Sequence, residues 1–300
     1  MKLHHLLLLI FINACWGFNY IAGKEGTEAF GPLWFSALRF LIVLILLLPF
    51  ARWKAGQMKT ILLIGLLLGV VHYPFMFSAM YLTDNISAIA IAAQLVVPFS
   101  TVVAVLYLKE HIGITRTIAI ALSFVGVVVI SFEPIGADHI LSLLLTTVAS
   151  AAMAAAAILM RRLNNTGVFN LQFWIAATAS VSLILLTLLI ESPSIEKLAS
   201  FTLTDYWSPA YSAVGATIIG HGSFYYLLQR YEVNDVAPFI TLSSLFAVGF
   251  GIVLLGDQMT LRIVVGGMLT LIGVTVIAVR GAKVAAANQP EVIENKNRQV

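Results

Sequence analysis

SAIAIAAQLVVPFSTVVAVLYL, the stretch from Ser87 to Leu108, runs for 22 residues without a charge. A bilayer hydrocarbon core of about 30 Å is crossed by roughly 20 helical residues, so this segment has the length and apolarity of one membrane span. Nine other stretches, almost free of charge, meet the same requirement: Leu3 to Ala22, Phe30 to Phe50, Ile61 to Leu82, Gly113 to Phe132, Ile140 to Met160, Phe169 to Ile190, Trp207 to Leu228, Ala237 to Leu255 and Leu261 to Val279. The expected fold class is all-α: a polytopic membrane protein of ten transmembrane helices with both termini on the same side. Their spacing leaves residues 1 to 280 no room for a water-soluble domain.

Composition agrees. Hydrophobic residues make up 60% of the chain and charged residues 10%, and the mean hydropathy is +0.97, against a charged content of about 25% in soluble domains. The net charge of +3 would suggest nucleic acid in a soluble protein, but here the basic residues sort by loop. With the N-terminus placed in the cytoplasm, thirteen of the 17 Lys and Arg residues fall inside, from Lys2, Arg52, Lys54 and Lys59 through Arg161, Arg162 and Arg230 to Arg298. Only Lys24, Lys197 and Arg262 fall outside, and Arg39 lies within a span. Cytoplasmic termini follow from the positive-inside rule, and no nucleic-acid partner is implied. Cys15 is the only cysteine, so no intramolecular disulfide is possible. Leu3 to Ala22 has some features of a cleaved signal peptide, but its removal would spoil the charge pattern, and a first transmembrane helix is the expectation.

The first stretch also has a copy. Sliding the chain by 147 residues lays Ser87 to Ile130 over Asn234 to Ile277, so that Glu110 falls on Asp257, Gly126-Val127 on Gly273-Val274, and Val129 and Ile130 on Val276 and Ile277. Each half then holds five spans. Five is odd, so the second copy enters the membrane from the opposite side, giving two inverted repeats. The domains expected are residues 1–136, the first repeat; 137–280, the second and inverted one; and 281–300, a disordered cytoplasmic tail. Near its beginning the repeat is faint: Arg39 meets Ala177, and Trp16 has no aromatic counterpart.

Several short runs carry a family resemblance: Ala14-Cys15-Trp16-Gly17-Phe18-Asn19-Tyr20, Ala37-Leu38-Arg39-Phe40, Ala79-Met80-Tyr81-Leu82-Thr83 followed by Ser87-Ala88, Val97-Pro98-Phe99, and Lys109-Glu110-His111. Over nearly its whole length the chain resembles the EamA branch of the drug/metabolite transporter superfamily. The second copy is looser, with Leu245 where the first has Pro98, and Pro238 displaced to the start of its span. The resemblance implies a bundle of ten helices, a monomer or weak homodimer in the inner membrane. It would move small metabolites, often amino acids or related compounds outward, by alternating access and without ATP. No phosphate-binding loop of the Walker type is present, and no cofactor or metal is implied.

Polar side chains are expensive inside a membrane and by default face a cavity or the bundle interior. On the first span Asn13, Trp16, Asn19 and Tyr20 share one helical face; cavity lining and plain interhelical packing are the two readings, and the resemblance favours the first. Arg39, about ten residues into the second span, is either an anchor for a substrate carboxylate or a structural partner. His72 and His221 lie 149 residues apart, near-equivalent in the two repeats; each is a candidate for substrate contact and for proton coupling, against the alternative of a neutral histidine bridging two helices. Pro98 is expected to release the Gln94 carbonyl beside the Gln94 amide. Tyr225 is placed one turn beyond His221, next to Phe224. Gly65, Gly69 and the run Ala149 to Ala157 offer small faces for close helix approach. Glu110 and Asp257 are read as structural landmarks that favour the start of the helix following each of them.

The expected function is a secondary transporter that moves a small metabolite, most readily as an amino-acid exporter, with proton coupling left open. The alternatives of the same fold are a multidrug, nucleobase or sugar transporter. No Asp or Glu lies deep in a span, which lowers the rank of cationic drug antiport. In a different class stands an intramembrane transferase using His72 or His221 as base, for which no nucleophile or acid partner is legible.

Overall fold

In hydrocarbon every backbone N–H and C=O must be satisfied within the protein, which leaves a uniformly apolar chain the helix as its unit. The computed structural model describes residues 1–109, 112–133, 137–193, 200–231 and 236–297, and the described residues form helices and no strand. The first seven helices are α1 (Leu3–Phe30), α2 (Pro32–Phe50), α3 (Met58–Leu82), α4 (Ile86–Tyr107), α5 (Ile114–Ser131), α6 (Asp138–Met160) and α7 (Val168–Glu191). A helical stretch over 207–228, α8, is built from Trp207–Tyr211, Ser212–His221 and Gly222–Leu228. α9 (Phe239–Leu255) and α10 (Leu261–Asn297) complete the chain.

Eight of these helices, α1 to α7 and the Leu261–Gly281 part of α10, are long and apolar enough to cross a membrane, and α9 is a shorter apolar helix. The multi-pass membrane class therefore stands. The eighth expected span is helical, but its Ser, Tyr and His residues dilute its apolarity below that of the others. α10 continues past Gly281 into the residues expected as a disordered tail, where Ala285 to Ala287 carry high helix propensity.

Local chemistry sets the breaks. Between α1 and α2, Gly31 takes a φ of 89°, a region open to glycine, and Pro32 occupies the first turn of α2, where its missing N–H costs nothing. In α3 the backbone widens into a π turn at Leu67–His72 just before Pro74, and α8 widens likewise over Ser212–His221. α4 instead tightens to a 3-10 turn at Ala93–Leu95, and the backbone N–H groups that follow reach the carbonyls of both Ala93 and Gln94. The Gln94 carbonyl, expected to be released by Pro98, is thus taken up by the tighter turn.

Small residues set the closest approaches. Along the α5–α10 seam, a Cβ on Gly126 would collide with the Gly266 carbonyl and with Thr270, and one on Gly273 with the Ala119 carbonyl and with Ser123. Ala119, Ser123 and Gly126 each lie 147 residues before Gly266, Thr270 and Gly273, so the contacts are reciprocal, and the Thr270 hydroxyl lies 2.9 Å from the Gly266 carbonyl of its own helix and 3.3 Å from the Ser123 carbonyl across the seam. Gly65 and Gly69 of α3 sit against Thr178 and Ala179 of α7 in the same manner.

At one end of the bundle, side chains tie the helix ends together. Asp257, after α9, accepts from Ser87 N at 2.7 Å and Ser87 Oγ at 2.6 Å. Its carboxylate therefore caps α4 and not the following helix α10, because the chain end of α9 comes down beside the first turn of α4. Its sequence counterpart Glu110 lies outside the described residues. Glu191 caps α2 through Leu33 N at 2.7 Å and Trp34 N at 2.9 Å. Lys24 Nζ donates to the Thr83 carbonyl at 2.7 Å and pairs with Glu28 at 2.9 Å.

Candidate functional site

Arg39 comes from the middle of α2, a helix whose other buried residues are Phe35, Ser36, Ala37, Phe40, Val43 and Leu47. Its side chain is 2% exposed, the largest fully buried side chain described. The guanidinium carbon stands 4.0 Å from the Tyr73 ring centroid, 4.9 Å from Phe40 and 5.6 Å from Phe77, and cation–π attraction recovers part of the desolvation cost. Nη2 donates to Thr217 Oγ1 at 2.7 Å.

The π turn of α8 prepares that acceptor. Thr217 gives its own hydroxyl proton to the Ser212 carbonyl five residues back at 3.0 Å, which leaves the oxygen lone pairs for Arg39. Arg39 Nε and Nη1 are buried and have no hydrogen-bond partner among the described residues.

Two histidines border this centre: His72 adjoins Tyr73, whose ring lies under the guanidinium, and His221 follows Thr217 by four residues. His72 Nδ1 lies 2.9 Å from the Ala149 carbonyl on α6; a carbonyl only accepts, so Nδ1 carries a hydrogen and donates. His221 sits at the end of the π turn with its ring 5.4 Å from Trp16. Trp16 Nε1 donates to the Ala216 carbonyl at 3.0 Å, its ring is 5.5 Å from Phe224, and Gly220 lies directly against the indole. Tyr20 packs at the edge of the cluster that holds Phe35, Phe77 and Tyr73.

The sequence-derived candidates therefore separate into groups. Arg39, His72, His221 and Trp16 surround one region between α1, α2, α3 and α8. Asn13 donates to the Leu9 carbonyl of its own helix at 2.8 Å, and its Oδ1, like Asn19 Oδ1, is buried without a partner among the described residues. Gln94 Nε2 binds Ser244 Oγ across the α4–α9 contact. Tyr225 is 38% exposed, while its neighbour Phe224 is the one that reaches Trp16. Sequence reasoning missed Tyr73 and Thr217; the signal for Thr217 was its place five residues after Ser212 and four before His221, legible only once a π turn is known.

A cavity of about 500 Å³ opens at the other end of the bundle, lined by His4, His5 and Leu8 of α1 and Gly222, Ser223 and Tyr226 of α8. Its α8 wall begins at the residue after His221. Lys2 N and His5 Nδ1 hold the Tyr231 hydroxyl at 3.0 and 2.8 Å beside it.

Known proteins resemble this chain over nearly all of its length. A protein of Salmonella typhimurium named as a probable amino-acid metabolite efflux pump is 26% identical, over 89% of this chain and 92% of its own. Its namesake in Escherichia coli is 24% identical over the same shares, and an uncharacterized transporter of Archaeoglobus fulgidus is 25% identical over 87% of this chain and 94% of its own. A solved crystal structure with 16% identity superimposes with a TM-score of 0.59, covering 92% of this chain and 96% of that one, and so shares the fold. The resemblances point to a transporter and not an enzyme. The EamA-like transporter family model matches twice, at residues 4–132 and 140–279, and the chain belongs to the EamA-like transporter family.

Proposed function

We propose that this protein is a secondary transporter of the cytoplasmic membrane that exports a small amino acid or related metabolite. In this reading ten helices form two inverted five-helix repeats, the termini lie in the cytoplasm, and a single bundle is the transporting unit. The observation that carries it is the polar centre around Arg39, placed mid-helix where an apolar bundle would otherwise hold only hydrocarbon. Relatives named as amino-acid metabolite efflux pumps give the solute class. Asn13 Oδ1 and Asn19 Oδ1 on α1 are buried acceptors, and Arg39 Nε and Nη1 on α2 are buried donors, all without a partner among the described residues; a solute with both polarities suits such a set.

Reciprocal contacts along the α5–α10 seam support the inverted relation, since residue i of one copy meets residue j of the other and the reverse. The cavity at His4, His5 and Ser223 is then the cytoplasmic vestibule, and the ties made by Asp257, Glu191 and Lys24 hold the opposite mouth shut. Alternating access exchanges these two conditions.

Flux of a labelled amino-acid mixture into proteoliposomes, with and without an imposed pH gradient, tests the reading against protein-free vesicles. Specific flux is expected; its absence moves the search to nucleobases, sugars and drugs. For proton coupling, His72→Gln and His221→Gln are expected to weaken flux and flatten its response to the gradient while the fold is kept. Unchanged flux and pH dependence in both variants would remove protons from the mechanism.

A further inference from the structure

The Arg39 guanidinium has more hydrogen-bond donors than the protein gives it acceptors. Of its five N–H groups, one goes to Thr217, and Nε and Nη1 have no partner among the described residues. Thr217 takes one of the two Nη2 hydrogens. Whichever it takes, the other completes a two-donor edge with either Nε or Nη1, and such an edge is the complement of a carboxylate. The aromatic rings of Tyr73, Phe40 and Phe77 supply π density but no lone pair along that edge.

Among the described residues no carboxylate pairs with Arg39. Among the described acidic residues, Glu191 and Asp257 are committed to the first turns of α2 and α4, and the spans carry none at their centres. Guanidinium groups stay cationic in proteins, and one buried without an anion is strongly unfavourable. His72 donates Nδ1–H to Ala149, and an imidazole, neutral or cationic, supplies no negative charge to Arg39.

We propose that the missing counter-ion is the solute itself: Arg39 is a substrate-binding residue whose free guanidinium edge holds a carboxylate, and the protein selects acids over their neutral amides. The proposal rests on the transporter reading for its physiological meaning but not for its test. The purified full-length protein in detergent is titrated with the common amino acids and simple 2-oxo acids, each against its own amide, following the thermal unfolding midpoint. The same pairs compete with labelled amino acids for flux in proteoliposomes.

The acids are expected to raise the midpoint and to compete at concentrations at least about tenfold below those of their amides. Arg39→Gln is expected to erase the preference, and Thr217→Val, which frees the guanidinium to turn, to shrink it. Amides that match their acids, or a panel in which no member of any pair registers, would overturn the proposal. So would an Arg39→Gln protein that keeps the preference; if that variant does not fold, the pairs measured on the unaltered chain decide alone. Acid preference in detergent without flux would uphold the anion site and remove the transporter reading, whereas flux without acid preference would do the reverse.

Discussion

The α5–α10 seam and the Arg39 centre are both products of two family-matching halves, and they use the duplication in opposite ways. At the seam each residue meets the counterpart of its own neighbour: Gly126 meets Gly266 and Thr270, and Gly273 meets Ala119 and Ser123. At the centre the position matching Arg39 holds Ala177, and the guanidinium is served by Thr217 and Tyr73 without an equal on the other side. Close packing tolerates only small residues in both copies, so the seam stays alike. At the centre the two halves differ, and under the proposed function unlike walls are what recognition of an asymmetric solute requires. The seam should therefore govern stability and the centre selectivity.

The strongest way to break that division is to load the seam. Gly126→Val or Gly273→Val drives a side chain into a backbone carbonyl that cannot retreat. Overpacking of this kind costs about 1–3 kcal/mol and more where backbone must move, so the expected result is loss of monodisperse folded protein on size-exclusion chromatography. A folded, active valine variant would show the seam to be looser than the contacts imply.

Arg39→Met should act in the opposite sense. Replacing a buried, uncompensated cation by an apolar side chain of similar length is expected to leave the unfolding midpoint unchanged or raise it by the equivalent of about 1 kcal/mol, while flux falls at least about tenfold. A fall in stability with flux preserved would make Arg39 a structural residue and end the contrast.

Asp257→Asn probes the helix ends, where both halves contribute. The amide keeps an acceptor for Ser87 but loses the charge that strengthens two short bonds, and a destabilisation of about 1–2 kcal/mol is expected in thermal unfolding. The smallest effect belongs to Trp16→Phe, which forfeits the bond to the Ala216 carbonyl. About 1 kcal/mol or less is expected, with altered competition by bulky solutes as the accompanying readout.

Much of the fold is legible in the chain because membrane spans are written in single-residue chemistry. The seven helices from α1 to α7 and the first part of α10 are recognisable from length and apolarity alone, and the reciprocal seam is visible as Gly126 falling on Gly273. Individual site residues were legible as types: a lone Arg, two His and a polar face on α1. Their partners were not. Asp257 was readable as a cap, but proximity in sequence pointed to α10, whereas the chain places it on α4. Gln94 was readable as a polar residue beside a proline, but its engagement with Ser244 depends on where α9 crosses α4.

By itself the sequence determined the solvent this protein lives in, its helical class, its duplication and the expected side for its charged loops, because each depends on composition and periodicity summed over many residues. Only the tertiary structure decided that Thr217 rather than a carboxylate meets Arg39, that Tyr73 lies beneath the guanidinium, and that two of its nitrogens have no partner among the described residues. Those facts hang on a π turn in α8 and on the crossing of α2 with α3 and α8. A hydrogen bond is satisfied or orphaned by ångström-scale placement, and no sum over residue types carries that information.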